Sequence, residues 1–220
     1  MNVSDALQQR RSTRAFLDTP VPTSTLKKLF QTAMQAPSNC NVQPWQVYVA
    51  SGETRDRLSE QCLSELNSAK APYPDIDWCL HFDNEQQQRK FESAATLYAA
   101  MGIDRNDKQA RKQALIHNWE FFGAPHLAIV TMKKSLGLAG AVDLGIFAQS
   151  LVLCITEQGL ACCFQASLNQ FPGPVRKVLN IPDNDAIMFG LCFGYADLSA
   201  PVNTAKTSRE PLHSLITFYN

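Results

Sequence analysis

The sequence has no excess of charge of either sign. Lys and Arg together number 20 among the 220 residues, and Asp and Glu also number 20. A balanced chain produces no overall field that attracts nucleic acid or an anionic membrane surface. We therefore expect neither a nucleic-acid partner nor a membrane partner.

Long apolar runs are also missing. The first residues, Met1 to Leu7, lack the basic start and the apolar core of a secretory signal. No uncharged run in the sequence reaches the ~20 residues that a membrane-spanning helix needs. These two features predict a cytoplasmic protein.

Cysteine and histidine lack the spacing that metal sites and disulfide frameworks require. The seven cysteines are an odd number without a Cys-x-x-Cys pair, and the four histidines are scattered. We therefore expect reduced thiols and no metal site. The cysteines are Cys40, Cys62, Cys79, Cys154, Cys162, Cys163 and Cys192.

Helix and strand patterns alternate along the chain without an internal repeat or a linker. Apolar residues at helical spacing predict helices over about 4–9, 24–34, 54–67, 85–100, 108–118 and 144–155, and a short helix that follows residues 172–174 and ends near 179. Runs rich in β-branched and aromatic residues predict strands over 45–50, 126–132, 161–164 and 185–193. We expect one domain over residues 1–220, with the charged segment 69–118 as a helical lid. The aromatic residues of that segment fit either a substrate wall or helices anchored on a core.

The predicted helix over 144–155 carries no charge and is apolar around nearly its whole circumference. Such a helix is buried on all sides, and it is too short to span a bilayer. A domain of this size has little room to surround a helix completely. We infer that part of the helix packs against a second copy of the chain, which predicts a homodimer.

A basic cluster, Arg10-Arg11-Ser12-Thr13-Arg14, follows the first predicted helix. Guanidinium groups bind phosphate through planar, permanently charged forks, and a Ser hydroxyl adds a short donor. The cluster therefore fits a phosphomonoester. A solvated basic patch at a helix end is the simpler alternative.

The loop from Ala36 to Trp45 is stiff and polar. Pro37 and Pro44 restrict the backbone, and Ser38, Asn39, Asn41 and Gln43 carry uncharged donors and acceptors. This chemistry suits a polar, planar ligand better than a metal ion. An ordinary connection between a helix and a strand would have a similar composition.

The small residues of Gln165-Ala166-Ser167 follow the predicted strand over 161–164. Small side chains can leave backbone N–H groups open to a ligand. An ordinary turn explains the same residues equally well.

These motifs occur in an order that resembles the nitroreductase family of flavin enzymes. The resemblance rests on Arg-Arg-Ser-x-Arg after the first helix and on Pro-Ser-x-x-Asn-x-Gln-Pro-Trp after the second. Further along the chain follow Gly-Ala-Pro before a strand, a buried helix that ends in Gly-Leu, and a late Arg before Glu-Pro-Leu. The match runs from Val3 to Arg209 but finds no motif in 69–118.

The resemblance implies an α+β fold with a central mixed or antiparallel sheet flanked by helices, in an intertwined homodimer. One FMN would bind at each of two sites in the subunit interface. Arg10, Arg11, Ser12 and Arg14 match the family's FMN-binding cluster, with Arg10 at the phosphate and Arg14 at the pyrimidine edge. Arg209 would be a second phosphate ligand. Pro37, Ser38, Asn39 and Asn41 would reach the flavin of the partner subunit, and Gln165, Ala166 and Ser167 would lie near flavin N5 and O4.

The implied reaction is a ping-pong transfer of electrons from NADH or NADPH, through flavin N5, to a nitroaromatic or similar small acceptor. No side chain need act as a nucleophile, so we assign no catalytic residue. The alternatives are a flavin enzyme of this fold that reduces quinones, enones or halogenated aromatics, and a non-catalytic FMN-binding protein.

Overall fold

The computed structural model describes residues 1–68, 70–77 and 80–219. Trp78 and Cys79, which the sequence analysis included among the aromatic residues and the thiols, lie outside the described residues. The helices are α1 (Val3–Gln9), α2 (Thr23–Ala33), α3 (Gly52–Asn67), α4 (Asn84–Ala100), α5 (Lys108–Ile116), α6 (Gly137–Glu157), α7 (Pro172–Leu179) and the single turn α8 (Leu212–Leu215). The strands are β1 (Gln46–Ser51), β2 (His126–Lys133), β3 (Ala161–Gln165) and β4 (Asp185–Gly194).

The four strands form one antiparallel sheet in the order β1-β2-β4-β3. The predicted α+β class is confirmed. The sequence left open a mixed or an antiparallel sheet, and the observed sheet is antiparallel. Strands β2 and β4 are central and almost entirely buried, which explains their nearly continuous apolar sequences. An isolated parallel bridge joins Ser12 to Cys162 beside the sheet.

Each face of the sheet carries its own apolar core. Ala128 and Val130 of β2 belong to the core that α2 and α6 cover, whereas Leu127 and Ile129 belong to the core beneath α3 and α7. This division follows from the two-residue period of a strand, which points successive side chains to opposite faces. In the first core, Trp45 stacks on Phe147 of α6 with ring centroids 4.8 Å apart.

Helix α6 is longer than predicted. It begins at Gly137 rather than near 144, directly after a 3-10 turn at Lys134–Leu136. Glycine disfavours helix in isolation, but a Cβ at Gly140 would come within 2.9 Å of Met132 Sδ, so close packing explains this glycine. The helical stretch Lys134–Glu157 is long and apolar enough to cross a membrane by length and composition. The prediction that this helix is too short to span a bilayer was therefore wrong.

Within the single chain, α6 is buried on one side only, and the packing of its other side against a second copy of the chain stays a prediction. Leu144, Phe147 and Leu151 are at most 1% exposed and face the core. Leu138, Val142 and Ile146 are exposed by 83%, 58% and 39%. A helix packed on one face of a sheet leaves its opposite side uncovered, and here that side is also apolar.

Candidate functional site

A cleft of about 1050 Å³ lies between α1, α4, the start of β3 and the C-terminal tail. Six basic side chains line it: Arg10, Arg11, Arg14, Lys90, Lys206 and Arg209. Ser12 lies in the same wall. The cleft therefore brings together five of the residues that the sequence analysis selected, although Arg209 is almost two hundred positions away from the others.

The charge of this cleft is strongly one-sided. Among the described residues, no Asp or Glu lines it. Within the part of the chain that the structure describes, none of the six basic groups forms an ion pair with a carboxylate. The chain has 20 Lys and Arg residues in total, so 14 of them lie outside the cleft. These 14 are fewer than the 20 Asp and Glu residues of the chain. The cleft therefore concentrates positive charge on a chain whose remaining residues carry a net negative charge. The resulting positive potential attracts an anionic ligand.

The backbone that carries the basic cluster is held against the sheet. Thr13 N donates to Cys162 O at 3.0 Å, and Leu17 N donates to Tyr195 O at 2.9 Å. The first bond attaches the segment to β3, and the second attaches it to the residue that follows β4. The cluster is therefore a positioned element rather than a frayed helix end.

Asn203 supplies a second anchor that the sequence analysis missed. Its Oδ1 accepts from Arg14 N at 2.8 Å, and its Nδ2 donates to Ala15 O and Asp197 O, both at 2.8 Å. Asn203 is only 8% exposed. A single Asn in an irregular tail carries no recognisable pattern, so only the tertiary contact reveals its role. Lys90 and Lys206 were missed for the same reason.

Arg14 stands at the border between the cleft and a second cavity of about 680 Å³. The guanidinium makes one weak intramolecular bond, from Nη1 to Ser12 O at 3.4 Å. Most of its donors are therefore available to a ligand, and they can reach either space.

The second cavity lies between α3, α4 and α5 and has a mostly apolar wall. Its polar side chains are largely occupied by bonds within the protein. Arg55 Nε donates to Ala124 O at 3.0 Å, and His117 Nδ1 contacts Glu120 Oε2. The cavity shares Arg14 and Leu97 with the basic cleft, so the two spaces are neighbours across a thin wall.

The loop from Ala36 to Trp45 does not line the basic cleft of its own chain. The loop precedes β1 at one edge of the sheet, whereas the cleft adjoins β3 at the other edge. Helix α6 holds the loop through Asp143, whose Oδ1 accepts from Asn39 N at 3.1 Å. Ser38 Oγ accepts from Gln43 N at 2.9 Å. Cys40, Asn41 and Gln43 have φ values of 49°, 56° and 46°, a left-handed backbone that costs ~1 kcal/mol or more per residue. An ordinary connector would not need this strained shape.

Residues 165–167 also lie outside the basic cleft, beside the second cavity. Gln165 is 1% exposed, and its Nε2 donates to the backbone oxygen of Asn118, a wall residue of that cavity. Among the described residues, Gln165 Oε1 and Ser167 Oγ have no hydrogen-bond partner. Ala166 is exposed. Buried polar atoms without partners are rare in proteins, and they point to a ligand or an ordered water.

Two buried thiols close to the basic cluster, Cys162 and Cys192, are not reactive groups. Burial raises the pKa of Cys162 to about 12, although Arg10 nearby acts in the opposite direction. Burial also raises the pKa of Cys192. Both side chains stay protonated at neutral pH and pack as small apolar groups.

Comparison with known proteins agrees with this geometry. The model of the Nitroreductase family matches residues 7–195. The chain is 36% identical to nitroreductase NfnB of Mycolicibacterium smegmatis over 96% of this chain and 90% of that protein. It is 33% identical to the nitrobenzene nitroreductase of Ectopseudomonas oleovorans over 98% and 96% of the two chains.

A solved structure gives the same result. The crystal structure of the FMN-dependent nitroreductase NfnB from Mycobacterium smegmatis in complex with NADPH superposes with a TM-score of 0.94, at 34% identity and over the full length of both chains. The family match covers most of the sequence, and the fold agrees from end to end. This chain belongs to the nitroreductase family.

Proposed function

We propose that this protein is an FMN-dependent oxidoreductase that passes electrons from NAD(P)H to nitroaromatic compounds by a ping-pong mechanism. The observation that carries the proposal is the cleft lined by six basic residues, which contains Arg10, Arg11, Ser12, Arg14 and Arg209. Relatives that are named nitroreductases, with FMN and NADPH in the description of a solved structure, support the same function.

The residues present fit FMN in charge and in hydrogen-bonding capacity. Arg10, Arg11, Ser12 and Arg209 would hold the phosphate, since a phosphomonoester carries about 1.5–2 negative charges at neutral pH. Arg14 would donate to the pyrimidine edge of the ring. The partnerless atoms Gln165 Oε1 and Ser167 Oγ suit a ligand that has donors and acceptors of its own. The exposed Ala166 would leave its backbone N–H open beside them.

FMN, when bound, would supply the chemistry of hydride and electron transfer between the nicotinamide and the acceptor. The protein's contribution is electrostatic. Arg14 places a fixed positive charge at the edge of the ring where reduction accumulates negative charge, and Asn203 fixes the backbone from which Arg14 extends. No proton or nucleophile is assigned to a side chain.

We further propose that the active species is a homodimer with FMN sites at the subunit interface. Leu138, Val142 and Ile146 give α6 an exposed apolar stripe, and Asp143 in the same stretch anchors the loop at Asn39. Loop and stripe are therefore neighbours on one surface. Pro37, Ser38, Asn39 and Asn41 would complete the partner subunit's site, which explains why they avoid the cleft of their own chain.

The remaining proposals concern the chain as a whole. Residues 1–220 would form one domain in which 69–118 is a variable lid, because α4 borders both cavities and α5 borders the second. The acceptor would be a small molecule that binds near this lid. No nucleic-acid or membrane partner and a cytoplasmic location stay predictions from charge and sequence.

The function is tested with purified protein. We expect a yellow protein with about one FMN per chain, oxidation of NADPH or NADH, and faster oxidation when nitrobenzene is added. Colourless protein that does not bind added FMN would contradict the proposal. Bound FMN without faster oxidation by any acceptor would identify a non-catalytic flavin protein. If only quinones or halogenated aromatics accelerate the oxidation of the nicotinamide, the protein is a flavin reductase of the same fold with a different acceptor.

A further inference from the structure

Lys90 is a basic residue of the cleft that lies apart from the basic cluster. It belongs to α4, on a different wall from Arg10 and Arg11. Its Nζ lies 5.1 Å from the ring centroid of Phe82, which is 42% exposed. The preceding residue, Arg89, pairs with Glu85 and Glu210, each at 3.6 Å. Arg89 thus pairs with two carboxylates, whereas Lys90 forms no ion pair within the described residues and lies beside an aromatic ring.

The cleft contains more positive charge than one phosphate requires. The phosphate of FMN would be held by the cluster and Arg209, and the ring edge by Arg14, which leaves Lys90 without an assigned anion. The cleft volume of about 1050 Å³ also lies just above the range of roughly 300–1,000 Å³ that is typical of pockets for one drug-sized ligand. Both features indicate room and charge for part of a second anionic ligand.

We propose that Lys90 and Phe82 recognise the adenosine 2′-phosphate end of NADPH and give this enzyme a preference for NADPH over NADH. The inference rests on the proposed function, because it names a determinant of the hydride donor. NADPH differs from NADH by the 2′-phosphate alone, which adds about 1.5–2 negative charges. An exposed aromatic ring next to an ammonium group offers a stacking surface for adenine and a charge for the adjoining phosphate.

The test compares Lys90→Met with Lys112→Met, a matched variant of an exposed lysine on α5 that does not line the cleft. In the wild type we expect kcat/KM for NADPH to exceed that for NADH. Lys90→Met should lower the ratio of the two values by roughly tenfold to a hundredfold, the effect of one charge-assisted hydrogen bond. The ratio of Lys112→Met should stay within about twofold of the wild type, as for an exposed side chain without a contact.

A binding measurement provides a readout apart from turnover. Adenosine 2′-monophosphate and adenosine 5′-monophosphate are titrated into the FMN-loaded protein by calorimetry. Lys90→Met should weaken binding of the 2′-phosphate more than binding of the 5′-phosphate, and raising the salt concentration should reduce the difference in the wild type. Phe82→Leu should weaken both nucleotides, since adenine is common to them.

Three outcomes would overturn the inference while the proposed function stands: a wild type without NADPH preference, an equal loss for both nicotinamides in Lys90→Met, and loss of bound FMN in that variant. The last outcome would assign Lys90 to the flavin. Failure of the proposed function has a different signature, in which the wild type binds no FMN or oxidises neither nicotinamide.

Discussion

Asn203 holds the backbone on both sides of the Arg14–Ala15 peptide. Its Oδ1 accepts from Arg14 N, and its Nδ2 donates to Ala15 O, each at 2.8 Å. The two partners are 189 positions apart in the chain. The C-terminal tail thus aligns a residue near the N-terminus that we assign to the flavin ring.

Replacement of Asn203 tests this alignment. Asn203→Ala removes three buried hydrogen bonds and leaves Arg14 N without its partner, so the free energy of unfolding should fall by about 2 kcal/mol. The dissociation constant of FMN should also rise, because Arg14 loses its fixed direction. Urea unfolding and flavin titration measure the two effects. Asn106→Ala, in an exposed loop, is the control, and equal behaviour of the two variants would refute the role of Asn203.

Arg14 itself should matter more for the flavin than for folding. Arg14→Ala should weaken FMN binding and slow its reduction, by an amount equivalent to roughly 1.5–3 kcal/mol for a lost charge-assisted hydrogen bond. Flavin content and stopped-flow reduction by the preferred nicotinamide are the measurements. Arg57→Ala removes an exposed guanidinium of α3 that does not line either cavity and serves as the control. Unchanged flavin content and rate in Arg14→Ala would place that residue elsewhere.

A mixing experiment tests the shared site of the proposed homodimer. Arg10→Ala and Asn41→Ala should each be impaired alone, because every site needs the basic cluster of one subunit and the loop of the other. In a mixed dimer one site carries both defects and the other carries none. Co-expression with two different affinity tags should therefore restore up to about half of the wild-type activity, as two independent sites require. A mixed dimer without recovery would show that each chain builds its own site.

His126 should make the stability of the fold depend on pH. It is 3% exposed, its Nε2 accepts from Val21 N at 2.9 Å, and its Nδ1 lies 2.5 Å from Ser51 Oγ. These bonds suit the neutral ring, with the proton on Nδ1, and burial lowers the pKa of His126 below its ordinary value of 6.5.

The sign of the pH dependence follows from the lowered pKa of His126. Below pH 6.5 the unfolded chain binds a proton that the folded chain resists, so this contribution to stability is complete above pH 6.5 and is lost as the pH falls toward the folded pKa. The slope cannot exceed about 1.4 kcal/mol per pH unit for one group. Urea unfolding of wild type and His126→Gln between neutral and mildly acidic pH measures it. Parallel curves for the two proteins would exclude His126 as the source.

Local patterns account for most of the elements. Apolar spacing predicted α3 and α4 nearly to their ends and the end of α7, and extended patterns predicted all four strands, because these features depend on neighbours within one turn or one strand. The start of α6 was missed, since glycines oppose helix formation locally, and the close packing that explains Gly140 becomes visible only in the tertiary structure. Neither segment alone predicts that Lys90 and Arg209 line the same cleft.

The sequence by itself therefore determined the chemistry available: a cluster of guanidiniums, a stiff polar loop and an apolar helix, in the order that resembles the nitroreductase family. The tertiary structure decided which of these groups meet. It joined the basic cluster to Arg209, Lys206 and Lys90 in one cleft, and it held the loop of Asn39 away from that cleft through Asp143. The physical reason is range. Propensity and periodicity act over a few residues, whereas a binding cleft is assembled by contacts between segments that are far apart in the chain and adjacent only after the sheet has formed.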